Sequence, residues 1–365
     1  MSAPLDPQRV AIIVLNWNGR DDTLACLESL AAADLGGAAV VVVDNGSRDG
    51  SIEAVRTRFP TVAVVALPEN RGYAGGNNAG IRAALDWGAD AVLLLNNDTR
   101  VAPDFLPPLL WALNETPGAA AVCSSIHRMD RPDMLDVAYA EVRFRERDAI
   151  KLCGVNALPG NGFDRRRTVE VAVGCSVLLR ADAVRKVGLF DEGFFAYHED
   201  VDWCLRARSA GFTLLHEPLS RVFHRGSRST LAAAAPRPAG EAHDALPNAE
   251  PLPWNPVRAY LGARNLVRLL RTYATPVERF AFARACAREL PLEYLAIVFD
   301  REGWLRLGRW GYGDALREIV RRRTLIGAIR GARDTGRTAQ FRAYLRGLWD
   351  GLRHRPLPLA ELGLR

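Results

Sequence analysis

Short apolar runs alternate with amphipathic stretches over the first part of the chain. Val10–Leu15 (VAIIVL), Val40–Val43, Val62–Ala66 and Ala91–Leu95 (AVLLL) are apolar throughout. Unbroken runs of this length fit strands buried on both faces of a parallel sheet. Between them, Asp21–Ala33 sets Leu24, Leu27 and Leu30 on one helical face, and Ile52–Phe59 reads as a second helix. Strand and helix in alternation predict a doubly wound α/β sheet. Ligands bind such sheets beyond the carboxyl ends of the strands. The polar loops at 16–19, 44–50 and 67–77 therefore fall on the binding side.

The pattern then becomes less regular. Pro103–Leu113 predicts a helix, stopped by Pro117-Gly118. Residues 140–150 read as an exposed strand or a short helix, and 154–167 as loop. Val169–Leu179 predicts a strand, 181–187 a helix, and Thr213–Leu215 a short strand. Residues 229–256 are rich in Ala and Pro and read as a linker or mobile loop. Helical periodicity returns at 257–273, 276–299, 314–331 and 334–352. These segments divide the chain into a domain over 1–228, with a first half to about 115 and a second from 116, then the linker, then a helical region over 257–365.

Composition adds limits. The chain has 365 residues, 48% hydrophobic and 25% charged, the profile of a globular protein. No apolar run approaches the roughly 20 residues of a membrane span, and MSAPLDPQRV has no secretory pattern. The six cysteines form no CxxC pair and read as small buried hydrophobes. The net charge of +6 is concentrated in the last third, where Arg321, Arg322 and Arg323 stand in a row. Such a tail fits an anionic surface, lipid or nucleic acid, or simply solvated helix faces.

The chemistry gathers in GLFDEGFFAYHEDVDWCLRARSAG, residues 188–211. Glu199, Asp200 and Asp202 open a helix that Gly211 ends. Phe194, Phe195 and Tyr197 lead into it, so the acids emerge from an apolar turn. Neighbouring carboxylates in dry surroundings have raised pKa values, as a general base requires. The alternative is an acid-biased helix start with one carboxylate as N-cap. Asn96-Asn97-Asp98 follows a buried strand, where an acid among amides suits a hard divalent cation, or a simple turn. His224 would complement Asp98 in a metal site. The loop at 69–78 is rich in glycine and asparagine but carries neither a GxGxxG fingerprint nor a Walker A motif.

Taken together, VLNWNG (14–19), VVVDNGSRDGS (41–51), ENRGYAGGNNAGI (69–81), LLLNNDTRV (93–101), residues 173–212 and VFHRGS (222–227) resemble the family 2 glycosyltransferases of GT-A fold, close to their bacterial rhamnosyltransferase-like branch. The resemblance implies a Rossmann-like, mostly parallel sheet flanked by helices, with a helical appendage. It implies that Asn16, Trp17 and Asp44 line the base and ribose of a nucleotide. Asn70, Gly72 and Asn77, in the 70–78 loop, would close over it. Asn96 and Asn97 would stand beside the donor. Asp98 and His224 would hold Mg²⁺ or Mn²⁺ on the diphosphate. Asp200 would be the base, with Glu199, His198 and Trp203 on the acceptor side. Asn96 stands where the family often has its first acid.

The implied reaction is inverting transfer of a sugar, rhamnose for instance, from a dTDP-, UDP- or GDP-linked donor to a glycan or lipid-linked cell-envelope acceptor. The implied setting is cytoplasmic, at the inner membrane face, without nucleic acid. The helical tail would meet an anionic membrane surface or form a homodimer. A sugar-1-phosphate nucleotidyltransferase would carry a Gly-rich basic loop where this chain has Asn16-Trp17-Asn18-Gly19. An inactive binding subunit need not keep Asp98, Asp200 and His224 together.

Overall fold

The structure, a computed structural model, describes residues 4–225, 255–299 and 336–364. The described residues 4–142, 150–225 and 358–364 form one compact unit, and 143–149, 255–299 and 336–357 another. In the first unit the apolar runs become β1 (Val10–Asn16), β2 (Ala39–Asp44), β3 (Ala63–Ala66) and β4 (Ala91–Asn96). All pair in parallel, in the order β4-β1-β2-β3. Ile12, Ile13, Val41, Val43, Leu93 and Leu94 are wholly buried, which is why the runs show no polar alternation. Helices α1 (Arg20–Ala31), α2 (Ser51–Arg58) and α3 (Gly72–Asp86) make the connections. The order reverses between β1 and β4, the switch point where such sheets open a crevice. Register sets Asn16 opposite Asp44, and Leu15 opposite Asn96.

The chain continues through β5 (Thr99–Val101), α4 (Leu106–Glu115), β6 (Ala119–Arg128), β7 (Leu135–Val137) and β8 (Tyr139–Val142). Then come β9 (Ile150–Cys153), β10 (Arg167–Thr168), β11 (Ser176–Arg180), α5 (Ala181–Val187), α6 (Glu199–Ser209) and β12 (Thr213–His224). β11 lies between β4 and β6, antiparallel to both. Its first residues therefore sit at the carboxyl end of β4, where Asn96 N donates to Cys175 O at 3.0 Å. β12 runs parallel to β6 and its end pairs with β5, so His224 lies opposite Thr99. These two crossings bring late residues to the early strand ends.

Four expectations are corrected. The loop expected over 67–77 ends at Arg71, because Gly72–Asp86 is α3, whose Gly76 and Gly80 let it lie close against Leu15 and Ile13. Only Ser176–Arg180 of the expected strand Val169–Leu179 pairs in the main sheet. Gly174 gives its N–H to the Asp200 carboxylate and its C=O to the Tyr73 hydroxyl, so its backbone is not available to a strand ladder. The strand expected at Thr213–Leu215 runs to His224. A register shift between Glu217 and Arg221 absorbs Pro218, whose polar surroundings hide the strand in the sequence. Residues 140–150 are neither one strand nor a helix: β8 ends at Val142 and pairs with β9, which starts at Ile150.

The second unit contains α7 (Pro256–Tyr273), α8 (Pro276–Phe299) and α9 (Gly336–Leu352), near the positions that periodicity predicts. Tyr260 of α7 donates to Asp350 of α9 at 3.0 Å, and Gly347 lets α9 pass close to the Tyr260 carbonyl. The expected linker at 229–256, apart from Asn255 and Pro256, and the expected helix at 314–331 lie outside the described residues.

One buried amide ties the two halves of the first unit. Asn78 on α3 donates to Phe190 O at 2.9 Å and accepts from Phe190 N at 3.0 Å. Asn78→Ala leaves both groups of Phe190 buried without their partner. The expected loss is about 2 kcal/mol of unfolding free energy, read by urea denaturation; a loss within error would mean that water replaces the amide without cost.

Candidate active site

The strand ends are joined by a polar lattice. Asn16, fully buried, donates to Asp44 at 2.8 Å and to Ser47 Oγ at 3.1 Å. Its carbonyl oxygen accepts from Gly19 N, Thr23 Oγ1 and Asn97 Nδ2. Asp44 also accepts from Ser47 N, and Asn97 reaches Thr23 Oγ1 at 3.0 Å. Asn16, Asp44 and Asn97 thus brace one another and fix the loops around them. Trp17 and Asn96 are only half-buried at the same edge.

The loop before α3 is fastened from both sides. Asn45 donates to Asn70 Oδ1 and Gly72 O, and accepts from Arg71 N. Asn70 Oδ1 also accepts from Gly72 N. Gly72 has φ +71° and lies against Phe195: a Cβ there would stand 2.3 Å from Phe195 O. No other residue type meets both demands. Ala74 N donates to Phe195 O, and Arg71 pairs with Glu192 at 2.7 Å. Asn77 is buried and donates back to Tyr73 O, within its own helix.

The turn that receives this loop is strained. Phe195, Tyr197 and His198 all have positive φ, at 63°, 69° and 72°. For residues with a Cβ this costs on the order of 1 kcal/mol each, and the clamped loop holds them there. His198 occupies the cap position of α6 with no side-chain cap bond, so none of the three acids is the N-cap.

The strain sets the carboxylates. Asp200 Oδ2 accepts from Gly174 N at 3.0 Å and Oδ1 from Val201 N at 2.8 Å. Burial raises the Asp200 carboxyl above its ordinary range, and the backbone bonds oppose the rise. Glu199 is buried, and its Oε2 has no hydrogen-bond partner. Burial, then the Asp200 charge, pushes Glu199 well above the ordinary carboxylate range. Two adjacent carboxyl groups of unequal surroundings suit separate proton-holding and proton-accepting roles. Trp203 lies in the core instead of facing a ligand: its Nε1 donates to Gly188 O and its ring meets Phe190 edge-on. Asp202 pairs with Arg206 at 2.9 Å.

At the neighbouring edge, His224 Nε2 stands 3.3 Å from Asp98 Oδ1, while Nδ1 bonds to Asp136 Oδ2 at 2.7 Å. Arg225 N donates to Asp98 O, and the Arg225 side chain pairs with Asp22 at 2.7 Å, fixing the residue after the histidine. Burial disfavours a charge on His224, but Asp98 and Asp136 outweigh it and push the ring up to about 10. In the metal-free protein the ring is therefore charged, with Nδ1–H on Asp136 and Nε2 facing Asp98; loss of the Nε2 proton, with Asp136 still holding Nδ1–H, would free the Nε2 lone pair for a cation. That Nε2 has no hydrogen-bond partner. A carboxylate oxygen and an imidazole nitrogen 3.3 Å apart are donors of the kinds that Mg²⁺ or Mn²⁺ accepts. Among the described residues no group of three or more His, Cys, Asp or Glu gathers around one point. The rest of a coordination sphere would have to come from a ligand or water.

The sheet thus brings together Asn16, Asp44, Asn97, Asp98 and His224 at its carboxyl edge. Asn70, Gly72, His198, Glu199 and Asp200 meet where the α3 loop and the turn before α6 interlock. Asp136, Asn45, Tyr73 and Gly174 carry contacts that sequence reasoning missed. Tyr73 and Asn45 lie inside quoted motifs, but nothing in the pattern distinguishes their roles. Asp136 sits in a charged stretch with no periodicity, so no signal marks it.

Comparison with known proteins agrees with this geometry. Residues 11–184 match the family described as Glycosyl transferase family 2. The N-acetylglucosaminyl-diphospho-decaprenol L-rhamnosyltransferase of Mycobacterium tuberculosis is 29% identical over 227 residues, covering 56% of this chain and 72% of that protein. The dTDP-rhamnosyl transferase RfbF of Shigella flexneri is 23% identical over 248 residues, covering 65% and 72%. Among solved structures, a mannosyltransferase from Pyrobaculum calidifontis in complex with GDP-Man and Mn²⁺ superposes with a TM-score of 0.52 at 18% identity, over 96% of this chain and 89% of that one. That likeness establishes the GT-A fold.

The His224 cluster gives a signed pH dependence. Its folded pKa of about 10 lies above the ordinary histidine value of 6.5. The stabilisation is complete below the lower value and is lost as pH rises through the upper one. In metal-free protein, the melting-temperature gap between wild type and His224→Ala should therefore narrow from pH 7 to pH 10. A gap that stays constant or widens would contradict the ion-pair reading.

Proposed function

From the premise that residues 11–184 of this glycosyltransferase are a glycosyl transferase family 2 domain, we propose that the chain transfers a sugar from a nucleotide diphosphate to an acceptor hydroxyl with inversion. The observation that carries this reading is Asp200: a carboxylate held by two backbone N–H groups beside the buried, unpartnered Glu199 Oε2. Gly174 bonds Asp200 and the adjoining Cys175 bonds Asn96, so base and strand-end sites share one short segment. Asp200 takes the proton of the attacking hydroxyl. Attack opposite the leaving group inverts the anomeric centre in one displacement. Asp98 and His224 would hold a Mg²⁺ or Mn²⁺ ion, which when bound offsets the charge of the departing nucleoside diphosphate. Trp17, Asn96, Asn70 and the first turns of α3, from Gly72 to Asn77, line the donor side, with Asn16 and Asp44 as their support.

Rhamnose is the sugar the relatives favour, with dTDP as its carrier and a diphospho-prenol-linked glycan as acceptor. The second unit supports a membrane-surface setting for such an acceptor. Leu345, Trp349 and Leu352 of α9 follow helical spacing and are exposed, and Arg353 stacks 4.1 Å over the Trp349 ring. An apolar stripe flanked by arginine suits an anionic lipid surface. No described helix is long and apolar enough to cross a membrane.

Three measurements test these readings. In a thermal-shift series, dTDP-rhamnose should raise the melting temperature more than UDP- or GDP-sugars, and only with Mn²⁺ or Mg²⁺ present. Asp200→Asn should keep that shift but lose about 10²- to 10⁴-fold in turnover; near-wild-type turnover would remove Asp200 as the base. In co-sedimentation, Trp349→Ser with Leu352→Ser should reduce binding to phosphatidylglycerol vesicles several-fold. Equal binding by both proteins, or none by wild type, would reject the lipid surface.

A further inference from the structure

Tyr73 stands at the second position of α3, among the residues placed on the donor side, yet its hydroxyl bonds outside that helix. It donates to Gly174 O at 2.6 Å. The N–H of the same Gly174 donates to Asp200 Oδ2 at 3.0 Å. A Cβ built on Gly174 would lie 3.1 Å from Tyr73 Oη and 3.4 Å from Asp200 Oδ2. Phenol and carboxylate therefore flank one side of one glycine. The Tyr73 ring makes a second connection: it packs on Phe190 at 6.5 Å between centroids, and Phe190 packs edge-on against Trp203 at the same distance. Trp203 is one turn along α6 from Asp200. The phenol thus holds the base-bearing helix through a backbone relay and through a train of rings.

We propose that Tyr73 is a positioning residue that couples the donor-side start of α3 to the general base, through Gly174 to the Asp200 carboxylate. The inference rests on the assignment of Asp200 as base. Donor contacts on the start of α3 would bear on the turn that carries Tyr73, and through it on the Gly174 N–H that orients Asp200. A shift of the first turn of α3 would move Tyr73 and loosen the Gly174 bond that fixes the base.

The test uses the full chain and reads dTDP released from dTDP-rhamnose with a diphospho-prenol-linked N-acetylglucosamine acceptor. Tyr73→Phe keeps the ring and removes only the hydroxyl. It should lower kcat about tenfold, with the donor KM within about twofold of wild type. It should also move the acid limb of the kcat/KM profile to higher pH. The Gly174 bond lowers the Asp200 pKa, so a loosened bond requires a higher pH to ionise the base. The other titratable groups facing Asp200 are Glu199 and Cys204 on α6, Tyr73 from α3 and Cys123 from β6. The thiols and the phenol titrate well above this limb. Glu199 is separated by repeating the profile in Glu199→Gln.

Gly174→Ala should reproduce the fall in kcat and the limb shift, and the double variant should lose less than the product of the two single effects. If Tyr73→Phe does not fold, Gly174→Ala alone carries the test. Wild-type kcat and an unmoved limb in a folded variant would overturn the proposal, as would multiplicative effects in the double variant. Asp200→Asn, measured in parallel, keeps the two readings apart. If that variant turns over normally, the base assignment fails. If it is inactive while Tyr73→Phe is unchanged, only the coupling fails.

Discussion

The site depends on an interlock between two loops that the sequence separates by more than a hundred residues. On one side, Asn45 fixes the backbone of residues 70–72. On the other, Phe195 lies over Gly72, and Asn78 holds both backbone groups of Phe190. Phe195, Tyr197 and His198 are held at positive φ, conformations that they would not adopt alone. This held turn delivers Glu199 and Asp200 at the start of α6, where burial lifts both carboxyl groups. The strain and the raised proton affinities share one origin: an apolar turn packed tightly enough to exclude water.

The carboxyl edge of the sheet works differently. There the polar residues satisfy one another, and few of them are left to touch a ligand directly. Asn16 is the hub: five groups bond to its amide. Such a saturated buried network fixes geometry because each member loses a partner if another moves. Residues that a family motif marks as ligand-binding can thus act one step back, by fixing the loops that make contact. His224 is the exception, since its Nε2, 3.3 Å from Asp98 Oδ1, makes no hydrogen bond.

Antiparallel β11 explains how the two regions meet. A parallel strand at that place would start at the far end of the sheet. Reversed, it begins beside Asn96 and carries Gly174 and Cys175 to the crevice. The same reversal costs the segment its ladder before Ser176, which is why an apolar sequence from Val169 does not continue as strand.

The sequence by itself determined the strands of the first half, the side of the sheet that binds, and the residues that carry charge. Unbroken apolar runs have one stable use in a chain of this kind, between two layers of helices, and the motifs after them mark the crevice. The local code also marked α6, since acids, aromatics and a terminal glycine lie within one short stretch. Only the tertiary structure decided which of the marked residues face outward. Trp203 reads as part of an acidic, ligand-facing helix start, but helical rotation turns it into the core against Phe190. Asp136, in a stretch without periodicity, gained its position from the pairing of β7 with β6. Tyr73 and Gly174 are a hundred residues apart, and nothing local specifies their contact. Local preference is set by neighbours in sequence, whereas a hydrogen bond across the sheet exists only after the strand order has closed.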